Sequence, residues 1–129
     1  MFNTIKLVTV LSLSISASAF AGSLTLSSHD IAQGEFMAKA QEFKGFGCDG
    51  GDLSPHLKWT NAPKGTKSFA ITAYDPDAPT GSGWWHWIVY NIPKASHGLA
   101  ENSGSELKLL PEGSVTGRND YGTYTFGGA

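Results

Sequence analysis

Ser68-Phe69-Ala70-Ile71-Thr72-Ala73-Tyr74-Asp75, followed by Trp85-His86-Trp87-Ile88-Val89-Tyr90-Asn91, decides the fold of this chain. Both runs are rich in aromatic and β-branched residues, and both alternate with the two-residue period of a strand. The first run places Phe69, Ile71 and Ala73 on one face. The second places Trp85, Trp87 and Val89 on one face and His86, Ile88 and Tyr90 on the other. The connector from Pro76 to Trp84 holds Pro, Gly and Ser and is too short for a crossover helix. The two strands are therefore expected to pair antiparallel.

Outward from this pair the pattern stays short. Leu24–Ser28 alternates and predicts a strand, and Ser54–Trp59 predicts a brief extended piece. Ile31–Phe43 fits two readings, a helical face through Ala32, Phe36, Ala40 and Phe43, or a strand pair, because Gly34 interrupts the helix. Pro63–Thr66 is a turn. Residues 95–120 suggest loop, with a helical turn near Leu107–Leu110, and Tyr121–Phe126 is a further strand candidate. Glycine and proline recur throughout, no long helices alternate with the strands, and there is no internal repeat. The expected fold class is all-β, a sandwich or barrel.

The chain has 129 residues, enough for one domain, and a formal net charge of −2, which supplies no basic field for nucleic acid. Residues 1–21 have the form of a secretory signal. Lys6 supplies the positive start, Leu7–Ile15 the apolar run, and Ala19-x-Ala21 the small residues of a cleavage site after Ala21. The run is too short to span a bilayer, and no later segment approaches ~18 uncharged apolar residues. Export to the periplasm or beyond is the expectation, with residues 22–129 as the mature domain. The single cysteine, Cys48, excludes an internal disulfide and a Cys-rich zinc site. In an oxidising compartment a lone cysteine is an anomaly. The glycine-rich loop Gly45–Asp52 lacks the G-K-[ST] ending of a phosphate loop, so nucleotide binding is not expected there.

The chemistry concentrates in Asp75-Pro76-Asp77-Ala78-Pro79 and Trp84-Trp85-His86-Trp87. A hairpin would gather Asp75, Asp77 and His86 at one sheet end, beside a loop stiffened by Pro76 and Pro79. A carboxylate beside an imidazole favours its cation or fixes its tautomer, and either way the ring can present an N–H to an anion. A zwitterionic or phosphorylated headgroup would suit this group of residues. Asp-Pro is also ordinary turn chemistry, and Asp77 fits that role better than Asp75 does. Strand tryptophans usually fill core. A serine hydrolase lacks both a G-x-S-x-G elbow and a placed base for Ser54, Ser82 or Ser103. A metal site on Asp75, Asp77 and His86 lacks a second histidine, since His29, His56 and His97 are scattered and fit the surface. Cys48 has no evident catalytic histidine.

These segments resemble the phosphatidylethanolamine-binding protein family, also called Raf-kinase-inhibitor-like, in its exported bacterial branch. The resemblance rests on Ser54-Pro55-x-Leu57-x-Trp59, on Ser68-Phe69-Ala70 leading into Asp75-Pro76-Asp77-Ala78-Pro79, on Trp85-His86-Trp87 leading to Asn91-Ile92-Pro93, and on Gly117–Gly122. It implies an antiparallel β-sandwich with an anion pocket at one end, no catalytic residues, no metal and no cofactor. Asp75, Asp77 and Pro79 would form one pocket wall and His86 the first pocket histidine, with Trp87 in support. The implied partner is a small phosphorylated or anionic ligand. The alternative is a protein partner, a kinase or protease, inhibited through the pocket loop. The family pattern continues past Gly127-Gly128-Ala129 to a second pocket histidine and further strands. On that resemblance the chain is expected to be incomplete at its C-terminus, unstable alone and weak in ligand binding. Cys48 is then half of a disulfide whose partner is absent from the chain.

Overall fold

A computed structural model describes residues 23–129, and the signal-like segment 1–21 lies outside the described residues. The expected all-β sandwich is what forms. One antiparallel sheet has the order β1 (Thr25–Ser27), β2 (Leu57–Thr60), β5 (Gly98–Leu99). The other has the order β3 (Ser68–Asp75), β4 (Trp84–Pro93), β6 (Val115–Thr116). The core lies between them. Leu57, Trp59 and Leu99 come from the first sheet, Trp87, Val89 and Ile92 from the second, and Phe126 from the C-terminal segment. Trp59 and Phe69 bridge the layers with ring centroids 5.2 Å apart, and the Trp59 indole N–H donates to Ser96 O at 3.0 Å, so this core indole keeps its hydrogen bond.

The β3–β4 pair forms in the expected antiparallel sense but not with the expected faces. Ala73 pairs with Trp87 and Tyr74 with Trp85, so His86 is an extra residue on β4, a bulge. A bulge turns the side chains beyond it by one position. His86 and Trp87 are consequently both buried, while Trp85 is exposed on the outside against Tyr74. A second irregularity opposite Ala70 is taken up by Asn91, whose φ of 56° suits asparagine, and whose side-chain amide donates to Gly113 O.

Two other expectations change. Ile31–Phe43 is neither helix nor strand pair but a series of turns. Its backbone carbonyls at Lys39, Ala40, Glu42 and Phe43 accept from the N–H groups of Gly51, Leu53, Asp52 and Gly50, so the segment is satisfied by the glycine loop. Tyr121–Phe126 forms no strand, because Asn119 draws it into a tight turn described below. The helical turn expected near Leu107–Leu110 is a 3₁₀ turn, Leu107–Leu109. β3 is an edge strand, paired only with β4 among the described residues. Beside its free edge runs a groove of about 520 Å³ lined by Leu26, Ile31, Leu57, Phe69, Ile71 and Trp87 among others.

Candidate functional site

β3 delivers Asp75 to the end of its sheet. There its Oδ1 accepts from the Asp77 backbone N–H at 2.9 Å, an Asx turn that starts the loop to β4. The loop is closed by Tyr74 Oη donating to Ser82 O at 2.7 Å and Thr80 Oγ1 donating to Gly83 O at 2.6 Å. Gly83 has φ 72°, and a Cβ there would meet the Tyr74 hydroxyl, so glycine is required twice over.

The bulge turns His86 inward, and the segment Phe126–Ala129 meets it. His86 is 6 % exposed. Its Nδ1 lies 3.0 Å from Gly127 O and 2.8 Å from Gly128 O. Two carbonyls can only accept, so Nδ1 carries the proton. In the neutral ring Nε2 is then a bare lone pair, and it is buried without a hydrogen-bond partner. The two glycines are there for space. A Cβ on Gly127 would strike the Tyr121 ring at 2.5 Å, and one on Gly128 would strike Gln41 O and Phe43 N at 2.4 Å. Asp52 Oδ1 holds the segment by accepting from Gly128 N at 2.6 Å, and Tyr121 Oη donates to Gly128 O at 2.9 Å.

The backbone around the bulge is held by Asn119 and Asp120. The buried Asn119 amide donates to His86 O and Thr125 O, and its oxygen accepts from the Thr123 N–H and hydroxyl. Asp120 Oδ2 accepts from Trp85 N, and Asp120 N donates to Trp85 O. Asn119→Ala is expected to lower stability by about 1–3 kcal/mol, because it orphans buried groups on both sides of the bulge. Urea unfolding followed by tryptophan fluorescence measures it. A loss below ~0.5 kcal/mol would show that the turn is not held this way.

Asp75, Pro79 and His86 line one recess of about 240 Å³, together with Phe43, Cys48, Trp84 and Tyr121. Asp77 is exposed on the turn and does not line it. Trp87 lies behind, packed edge-on against Phe126 at 5.8 Å in the core. Cys48 is a free, exposed thiol on the recess. Phe43 stacks on Tyr121 at 4.4 Å and Trp84 meets Tyr121 edge-on at 5.4 Å, so the far wall is aromatic. Burial, and then the Asp52 carboxylate, hold the Tyr121 phenol above its ordinary value of 10.0, so it stays a neutral donor. The recess lining holds one carboxylate and one imidazole but no Lys or Arg. Among the described residues no group of three or more His, Cys, Asp or Glu is placed to hold a metal ion.

Sequence reasoning missed the carbonyls of Gly127 and Gly128, the Asn119 anchor and the aromatic wall. The Gly-Gly pair was the one visible signal, since paired glycines mark close backbone approach.

Comparison with known proteins places this arrangement. The phosphatidylethanolamine-binding protein family matches residues 27–129. The UPF0098 protein YbcL of Escherichia coli K12 is 52% identical over 116 residues, covering 89% of this chain and 63% of its own length. The UPF0098 protein YbhB of the same organism is 46% identical over 106 residues, covering 82% of this chain and 67% of its own length. The crystal structure of E. coli YbcL, described as a new member of the mammalian PEBP family, superposes with a TM-score of 0.80 over 82% of this chain and 65% of that one. The chain thus spans about two thirds of the length of these relatives.

Proposed function

From the premise that this chain belongs to the phosphatidylethanolamine-binding protein family, we propose that it is an exported, non-catalytic binding protein for small phosphorylated headgroups, held at the His86 recess. Export rests on the signal-like residues 1–21. The observation that carries the ligand class is His86 itself. One ring nitrogen is committed to two carbonyls, and the other is buried with nothing to bond. An unpartnered buried nitrogen costs free energy that a ligand hydroxyl, such as the P–OH of a phosphate monoester, would recover by donating to it. Asp75 keeps Oδ2 without a partner among the described residues, suited to an ammonium. With a single cation-forming group and a single carboxylate on the lining, a zwitterion such as phosphoethanolamine is the matched charge pattern.

One charged hydrogen bond and a partly open recess support weak binding, with a dissociation constant on the order of 1 mM. Titration with phosphoethanolamine, followed by the backbone amide resonances of the recess residues, tests this. Saturable shifts that vanish in His86→Ala are expected. The same shifts in His86→Ala, or none in the unaltered chain, would refute the reading.

A further inference from the structure

We propose that Asp52 is a positioning residue for His86. It acts through the peptide between Gly127 and Gly128 and fixes which ring nitrogen is left to receive a ligand. Asp52 is not among the residues lining the recess. Its Oδ1 accepts from the Gly128 N–H at 2.6 Å. That N–H and the Gly127 carbonyl are the two ends of one planar peptide unit. The Gly127 carbonyl in turn accepts from His86 Nδ1 at 3.0 Å. The path runs carboxylate, peptide, imidazole, with the unpartnered Nε2 at its far end. A charged acceptor makes the first bond strong. Bonds in series polarise one another, so the Gly127 oxygen becomes the better acceptor for it. The tautomer of a histidine is set by the bond that its other nitrogen makes. A stronger acceptor at Nδ1 holds the proton there and keeps Nε2 a lone pair.

Three observations single out Asp52. The first is the set of bonds that holds residues 127–129. Gly127 N donates to His86 O at 3.1 Å and Ala129 N to Gln41 O at 3.3 Å, both backbone carbonyls. Of the three N–H groups only that of Gly128 goes to a side chain, and its bond is the shortest. The second is the conformation of Asp52, whose φ of 54° lies in the left-handed region that most side chains avoid and Asp tolerates. Its own N–H donates to Glu42 O at 2.9 Å, so the residue is fixed at its backbone and its carboxylate together. Backbone held against preference beside a site is expected where a side chain has to be aimed. The third is the contrast with Tyr121. Its hydroxyl also reaches the Gly128 carbonyl, at 2.9 Å, but as a donor it competes with the ring for that oxygen.

The relay bears on what the recess selects. With the proton held at Nδ1, Nε2 can only accept, so it favours a ligand oxygen that still carries a proton over one that carries none. In this use the relay rests on the reading of His86 as the ligand group. The state of the ring itself is measurable with no ligand present.

Two-bond nitrogen–proton correlation spectra of the histidine rings in the full chain, at about pH 8 where imidazole is ordinarily neutral, test this. The unaltered chain is expected to show His86 protonated at Nδ1 and bare at Nε2. Asp52→Gly removes the carboxylate with no penalty at positive φ. It is expected to draw the two ring-nitrogen shifts together as the tautomers mix, and to weaken the phosphoethanolamine response about two- to fivefold as fewer rings remain competent. Asp52→Asn keeps an acceptor and suits the same backbone, so it should restore the Nδ1–H form. A purely structural role would lower the stability of Asp52→Gly and leave the ring shifts where they were. Unmoved ring shifts in Asp52→Gly, or a protonated Nε2 in the unaltered chain, would overturn the proposal. If Asp52→Gly fails to fold, Asp52→Asn decides. A neutral amide polarises the peptide less than a carboxylate, so the Nδ1 proton should move upfield, and an unmoved proton would overturn the relay. No phosphoethanolamine response in the unaltered chain would instead sink the headgroup reading, with the ring shifts still deciding the role of Asp52.

Discussion

Gly128→Ala is expected to abolish the phosphoethanolamine response proposed for the recess and to lower stability by about 1–3 kcal/mol, the usual cost of forcing a methyl into a filled space. Gly128 does not sit at positive φ, so the cost is not conformational. The new Cβ would lie 2.4 Å from Gln41 O and Phe43 N, which are backbone atoms and cannot rotate away. The segment 127–129 must shift, and with it the carbonyl that fixes His86 Nδ1 and accepts the Tyr121 hydroxyl. A phosphoethanolamine titration and a urea denaturation on the same sample read both effects. Unchanged binding in Gly128→Ala would mean that the carbonyls do not orient His86.

Trp87→Ala should be the most destabilising single change in the sheet, at about 3–5 kcal/mol. Trp87 is 1 % exposed and packs against Phe126 between the layers. Small domains hold only about 5–15 kcal/mol in total, so cooperative unfolding is expected to be lost near room temperature. Trp85→Ala provides the control. Two positions away along an alternating strand, it should cost under ~1 kcal/mol, because Trp85 is 39 % exposed and contacts mainly Tyr74. Thermal unfolding by circular dichroism separates the two. Equal losses would show that the bulge does not divide the tryptophans between core and surface.

That division marks how far the sequence can be read. The whole of β3 and the middle of β4 were legible because alternation is a local signal, and the turn between them was legible from its prolines and glycines. The bulge was not. Alternation records which residues differ in polarity, and His86 beside Trp87 conforms to it. Only the register against β3 shows that both face inward. The hairpin reading gathered Asp75, Asp77 and His86, of which Asp75 and His86 share the recess and Asp77 does not, while Pro79 came from the family resemblance. The parts of the site supplied by Gly127 and Gly128, 41 and 42 residues from His86, and by Asp52, 76 residues from the Gly128 it holds, were legible in neither. Likewise Tyr121–Phe126 has strand-forming residues, but the Asn119 side chain satisfies backbone groups that a ladder would otherwise use.

These separations also set an order of events during synthesis. The β3–β4 hairpin closes over a short loop and can form as soon as residue 93 has emerged. His86 is then already on its strand, yet nothing orients its ring. The carbonyls that do so belong to residues 127 and 128, which emerge well after the hairpin is complete. The hairpin is therefore in place before the groups that orient its histidine have been made.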